Sequence, residues 1–228
     1  TIPDTCETIG FRAFRNCKAL TKMTVPESVS TIEASAFEGC TSIKELTLPY
    51  ASTRRDLALA VSSTDWNSSI SDLFIYSWNN LENINLDFSD YALEKVTVTG
   101  GEIIPACAFS NMPTLKEVDF SGTEITDIRE KAFQNCTSLA TVKLPDTVTS
   151  YGNYSFYNTP ITSLNPKSVI TSIGEHAFAE CSNLESFTIP DTCETIGFRA
   201  FRNCKALTKM TVPESVSTIE ASAFEGCT

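Results

Sequence analysis

Histidine is almost absent from this 228-residue chain, with His176 the only one. A single imidazole leaves no second histidine for a metal pair or a relay, and no C-x-x-C spacing among the nine cysteines makes up for it. Glycine loops that cradle phosphate and the G-x-S-x-G nucleophile turn are missing as well, and Gly100-Gly101 reads as an ordinary turn. Asp87 and Asp90 offer two oxygens to a calcium ion, but no loop motif surrounds them. These gaps argue against an enzyme, and no cofactor or metal is expected. Long apolar runs are also lacking: the longest, Leu57–Val61, falls far short of the roughly 18 residues a spanning helix needs, so no membrane insertion is expected. Basic residues are scarce, 17 against 28 acidic, for a net charge of −11. Residues 42–187 carry 9 basic and 18 acidic side chains, or −9, and each flanking segment carries 4 and 5, or −1. An acidic middle disfavours nucleic acid and anionic lipid as partners. Neither an initiator Met nor a signal peptide is present, so the termini read as trimmed and the compartment is not legible.

What the chain does have is a recurring phrase. Ala-Phe-x-x-Cys followed by L-x-x-L-x-L is clearest at Ala132-Phe133-Gln-Asn-Cys136-Thr-Ser-Leu139-Ala-Thr-Val142-Lys-Leu144. Its Phe recurs at 14 and 37 and again at 109, 133, 156, 178, 201 and 224, with steps of 23, then 24, 23, 22, 23 and 23. Such a period signals a solenoid, whose units bury their apolar faces only against stacked neighbours. Alternation in Met23-Thr24-Val25 and Val142-Lys143-Leu144 predicts one short strand per turn, ended by Pro26 or Pro145. The Ala-Phe element is too short for an independent helix and reads as a 3₁₀ or single α turn. Six cysteines (Cys17, Cys40, Cys136, Cys181, Cys204, Cys227) share one place, three residues after the Phe, and read as small buried side chains rather than disulfides. Cys107 stands where other turns carry Arg12, Lys131 or His176, and is expected to be exposed and reactive. His176 itself reads as a solvated residue on the convex side.

The rhythm breaks after Leu48. Tyr50–Ser71 reads as an insertion, after which Ile75 takes the Phe place, Trp78 the Cys place, and Leu81, Ile84 and Leu86 the ladder; a shortened turn follows at Leu93, Val96 and Val98. A second oddity is exact: residues 188–228 repeat residues 1–41 without a change. Both ends stop inside a repeat phrase, so a fragment of a longer array of 187-residue blocks is expected.

The phrases Leu144-Pro-Asp-Thr-Val-Thr-Ser-Tyr-Gly-Asn-Tyr-Ser-Phe156 and Ile170-Thr-Ser-Ile-Gly-Glu-His-Ala-Phe-Ala-Glu-Cys-Ser-Asn-Leu184 resemble the BspA-like class of leucine-rich repeats. Nearly the whole chain is covered except about 50–72 and 87–98. The resemblance implies one α/β repeat solenoid over residues 1–228. This would be a right-handed, curved leucine-rich-repeat superhelix of about nine or ten turns, with a parallel β-sheet on the concave face and short 3₁₀ or α turns on the convex side. It also implies a surface or secreted protein that adheres to host or matrix proteins, and no catalytic residues.

Two binding sites follow from the residues. Outward strand positions, including Asn85, Thr97, Asp119 and Lys143, would line a polar sheet face long enough for a standard protein interface, although Thr in a strand needs no function. The irregular stretch gathers Trp66, Tyr76, Trp78 and Tyr91 with Arg54 and Arg55, types suited to protein hot spots or to stacking on sugars. Its aromatics also suit plain packing. A protein ligand is the leading expectation, a glycan or a purely structural spacer the alternatives. Asn67, Asn135 and Asn153 head N-x-S/T triplets, which matter only in a glycosylating host.

Overall fold

A computed structural model describes residues 1–33, 36–37, 39–40, 42, 45–48, 72–75, 94–98, 100–164 and 169–227. The chain coils as a β-solenoid, and every strand pairing among these residues is parallel. One column of strands is the predicted ladder: Lys22–Thr24, Glu45–Leu48, Asp72–Ile75, Lys95–Val98, Glu117–Asp119 and Thr141–Lys143 form one sheet, and Ser163–Leu164 pairs with Ser186–Phe187 further on. Inward residues of this column, among them Met23, Val96, Val118, Leu164 and Phe187, are buried, while Lys22, Thr24, Glu117 and Asp119 beside them face out.

A second column accompanies the first, which the strand alternation does not predict. Thr8–Ile9 pairs with Thr31–Ile32, and Ile103–Ile104, Asp127–Ile128, Ser150–Tyr151, Ser172–Ile173, Thr195–Ile196 and Thr218–Ile219 form another parallel sheet. Two residues per turn leave too short a run for the period-2 signal to register. A glycine follows four of these eight strands, at Gly10, Gly152, Gly174 and Gly197, and marks the column there. A Cβ on Gly174 would lie 2.7 Å from Gly152 C and 2.7 Å from Tyr151 O, so the turns approach there more closely than any side chain permits.

The expected 3₁₀ or α turns are not found: no helix occurs among the described residues. The reason lies in the backbone around each Phe. Residues two before and two after it are left-handed, as at Lys131 and Asn135 (φ 57° and 59°) or His176 and Glu180 (φ 52° and 64°). With left-handed residues four apart on either side of the Phe, the N–H groups of Lys131, Phe133 and Asn135 reach the carbonyls of Asn153, Ser155 and Tyr157 in the next turn, at 2.8, 2.7 and 2.9 Å. Those donors are then unavailable for helical bonds within the turn, and the described residues form a coil of strands and tight turns that does not support an α/β class.

The core follows from this stacking. Phe133, Phe156, Phe178, Phe201 and Phe224 lie face to face with centroids 5.0–5.5 Å apart. Phe120, Tyr151 and Phe187 meet them edge-on. All nine cysteines are free thiols, and those in the shared place satisfy a specific acceptor. Cys40, Cys136, Cys181, Cys204 and Cys227 each donate to the carbonyl of the preceding turn's Phe at 2.9–3.2 Å. Thr159, which stands in the cysteine's place one turn later, donates instead to its own turn's Phe156 O at 2.8 Å, the carbonyl that Cys181 also reaches. Cys107 is half-buried rather than exposed.

The irregular region is also corrected. Ile75 does not hold the Phe place; it ends the strand Asp72–Ile75, which sits between Glu45–Leu48 and Lys95–Val98. Strand starts at 22, 45, 72, 95, 117, 141, 163 and 186 give steps of 23, 27, 23, 22, 24, 22 and 23. The excess in the ladder is therefore about four residues. Direct pairing of Asp72–Ile75 with Lys95–Val98 leaves no place between them for the ladder strand expected at Leu81, Ile84 and Leu86, which lie outside the described residues.

Candidate interaction face

The register of the first strand column sets two rows flanking the buried positions. One runs Lys22, Glu45, Asp72, Lys95, Glu117, Thr141; the other runs Thr24, Thr47, Phe74, Thr97, Asp119, Lys143. Three predicted site residues, Thr97, Asp119 and Lys143, are thus neighbours in one row. The place expected for Asn85 between Thr47 and Thr97 belongs to Phe74. Asn85 itself, with Arg54, Arg55, Trp66, Tyr76, Trp78 and Tyr91, lies outside the described residues.

The charges of the face are organised across strands. Lys143 Nζ donates to Glu117 Oε1 and Asp119 Oδ2, both at 3.0 Å, and Lys95 reaches the same Glu117 oxygen at 3.4 Å. Lys22 pairs with Glu45 at 2.6 Å. Three lysines thus meet three carboxylates, and with Asp72 in the same row the face carries three cations against four anions, so most of the chain's acidic surplus lies elsewhere. The hydrogen bond from Lys143 holds the Glu117 carboxyl below the usual carboxylate range, against some desolvation. Burial works against ionised Asp119, but bonds from Ser121 and Lys143 outweigh it and its carboxyl is lowered too. Glu117 and Asp119 together draw the Lys143 pKa up. Surface pairs of this kind contribute little stability. Their effect is to fix long side chains in one arrangement on rigid strands, which lowers the ordering cost of binding. Towards the C-terminal end the face changes to exposed hydroxyls: Thr141, Ser163, Ser186 and Thr188.

A second surface cluster has no counterpart among the sequence expectations. His176 is not simply solvated: its ring stacks on Tyr154 at 4.6 Å and 7°, with Tyr157 and Phe198 edge-on. Desolvation, then the nearby Arg199, lowers its pKa, and its Nδ1 is buried without a hydrogen-bond partner. Lys131 lies over Tyr154 and Arg199 over Phe198. The common left-handed position, two before the Phe, stacks these side chains at turn spacing; aligning the repeats on Phe is the signal that finds it. Because Tyr154 and His176 cover each other, the cluster is packed against itself and gives a sugar no free pair of ring faces. The predicted acceptor Asn135 is similarly engaged, its amide bonded to Asn111 at 2.9 Å and Asn158 at 3.0 Å, and Asn153, although exposed, accepts from the Glu175 N–H through its Oδ1 at 2.9 Å.

Among the described residues, no three His, Cys, Asp or Glu side chains are grouped to hold a metal ion, and no helix is long and apolar enough to cross a membrane.

A parallel β-solenoid of roughly 23-residue turns, with a Phe stack inside and an L-x-L strand per turn, defines a leucine-rich-repeat protein. The chain belongs to the BspA type leucine rich repeat region family, whose profile matches residues 1–100 and 102–228 in six copies. Solved structures are similar in fold. The Treponema pallidum leucine rich repeat protein aligns at 20% identity over 68% of this chain and 76% of that one, with a TM-score of 0.59. A leucine rich cell surface protein of Faecalibacterium prausnitzii aligns at 23% identity over 99% and 75%, with a TM-score of 0.45. A search of curated proteins finds no match.

Proposed function

We propose that the chain is a non-enzymatic, extracellular recognition module that binds a host or matrix protein through the first-column sheet face. The observation that carries this reading is the ordered row Thr97, Asp119, Lys143 beside Lys95 and Glu117, held by cross-strand bonds on strands whose opposite sides are buried. Side chains already fixed in the free protein favour a protein partner over a solvated surface with no role. Membership of a family with bacterial cell-surface relatives supports the extracellular setting. The experiment is a binding assay of the purified chain against immobilised fibronectin, laminin, collagen and fibrinogen, with Lys143→Glu and Thr97→Arg as variants. Binding of the parent chain to one of these, lost in both variants while the far-ultraviolet spectrum is unchanged, is the expected result. Binding that survives both substitutions moves the site off this face.

One observation favours a second reading. Identity between residues 1–41 and 188–228 extends to surface positions, which folding does not require. That suits a spacer in a surface array, and absence of binding to all four proteins together with a glycan array would support it.

A further inference from the structure

The imidazole of His176 sits in a setting that suits its neutral form and penalises its charged one. Its backbone is held on both sides: the His176 N–H donates to Phe198 O at 2.8 Å, and His176 O accepts from the Ala179 N–H at 3.1 Å. The residue is half-buried, so the ring borders solvent. Three turns face it. From the preceding turn come Tyr154, stacked at 4.6 Å, and Tyr157, edge-on at 6.4 Å, and Lys131 also lies over the Tyr154 ring, at 5.9 Å. Its own turn brings the carboxylates of Glu175 and Glu180. From the following turn come Phe198, edge-on at 5.5 Å, and the guanidinium groups of Arg199 and Arg202. Glu180 is already engaged, accepting from Asn203 at 2.8 Å and pairing with Arg202 at 3.4 Å.

A proton added to this ring meets two obstacles. Nδ1 is buried without a hydrogen-bond partner, so an N–H placed there finds no acceptor, and the new charge stands one turn from Arg199. The Tyr154 face and Glu175 attract an imidazolium, but burial and the arginines outweigh them and favour the neutral ring.

We propose that His176 is a proton-operated cover on the Tyr154 ring: neutral, it stays stacked; protonated, its side chain rotates into solvent while the backbone stays bonded, and the Tyr154 face opens beside Tyr157. Acid thereby turns a cluster closed on itself into an exposed aromatic stacking surface. The device is independent of what the first-column sheet face binds.

The test is proton NMR of the whole chain, in which the only histidine gives the only imidazole resonances. Stacking on Tyr154 should shift them upfield and give a nuclear Overhauser contact to the Tyr154 ring protons. A single titration is expected, with its midpoint below the roughly 6.5 of a free histidine. The upfield shift and the Tyr154 contact should both be lost through that midpoint, while the backbone amides of Ala177 and Phe178 keep their shifts. Arg199→Met should move the midpoint upward. A midpoint at or above that of free histidine, a Tyr154 contact that persists once the ring is protonated, a midpoint unmoved in Arg199→Met, or general unfolding at the same pH would overturn the inference.

Discussion

Gly10 and Gly197 occupy the same position in the same sequence, Thr-Ile-Gly-Phe-Arg, yet substitution by alanine should affect them in opposite ways. At Gly197 an added Cβ would stand 2.8 Å from Glu175 N, 2.8 Å from Gly174 C and 2.9 Å from Ile173 O. All three are backbone atoms of the preceding turn, and none can rotate aside. Relief requires separating the turns by roughly half an ångström at a point where Gly197 N–H bonds Ile173 O at 2.9 Å and Thr195 pairs with Ser172. Overpacking of this kind costs about 1–3 kcal/mol, and the rigid contact on three sides places this site near the upper end. At Gly10 the nearest atom to an added Cβ is Glu33 Oε2 at 3.9 Å, a flexible carboxylate. Alanine there should be neutral, or stabilising by up to about 0.5–1 kcal/mol through reduced freedom of the unfolded chain. Urea denaturation of Gly10→Ala and Gly197→Ala, followed by circular dichroism, measures the difference. A difference of about 3 kcal/mol corresponds to a melting shift of about 6–12 °C in a chain of this size. Equal stabilities for the two variants would refute the claim that close approach of the turns, rather than local conformational preference, selects glycine.

Tyr151 carries a hydroxyl that is buried with no hydrogen-bond partner, and burial pushes its pKa upward. Removing it in Tyr151→Phe should leave stability unchanged or raise it by up to about 1 kcal/mol; a comparable loss on urea denaturation would mean the hydroxyl has a partner. Burial also pushes the Cys136 thiol up to about 12 and the Cys181 thiol up to about 11, so neither should react with iodoacetamide at mildly alkaline pH in the folded protein. Cys17, which is exposed, should be modified first, and mass spectrometry showing Cys136 modified as fast would contradict the buried hydrogen-bonded role. The lowered Glu117 and Asp119 carboxyls bind protons more weakly folded than unfolded. They stabilise the fold above the ordinary carboxylate range, and that contribution is lost as pH falls through their lowered folded values. Lys143→Met should flatten the acid side of a melting temperature against pH curve; an unchanged slope would show that the cluster does not couple to folding.

The legible part of the fold is the part set by inward side chains. Phe133, Cys136, Leu139 and Val142 recur because each turn must present the same apolar atoms to its neighbours, and a period in sequence becomes a stack in space. Backbone features are harder to read. The second column leaves little trace because Ser172–Ile173 is two residues long, and its signature is Gly174, a residue with no side chain to pattern. A helical turn at Ala-Phe is compatible with propensity and yet does not form. What decides against it is the left-handed pair, such as Asn158 with Tyr154 (φ 55° and 56°), and only the asparagine hints at that in the letters.

The ladder across the irregular stretch is misread from the letters for a related reason. Leu81-x-x-Ile84-x-Leu86 matches the L-x-x-L-x-L phrase better than Asp72-Leu-Phe-Ile75 does, but register is fixed by pairing on both sides, and Asp72–Ile75 satisfies Glu45–Leu48 and Lys95–Val98 together. The same principle bears on the interaction face. Thr97, Asp119 and Lys143 are legible as outward residues because strand alternation alone dictates it. Their grouping depends on which strands are adjacent: Lys143 meets Glu117 and Asp119 only because Thr141–Lys143 lies directly beside Glu117–Asp119. A solenoid with a regular period makes that adjacency predictable, so the surface of the regular turns reads as a grid of rows and columns. Where the step grows to 27 residues the grid shifts, and with it the neighbour of Thr97 changes from the expected Asn85 to Phe74.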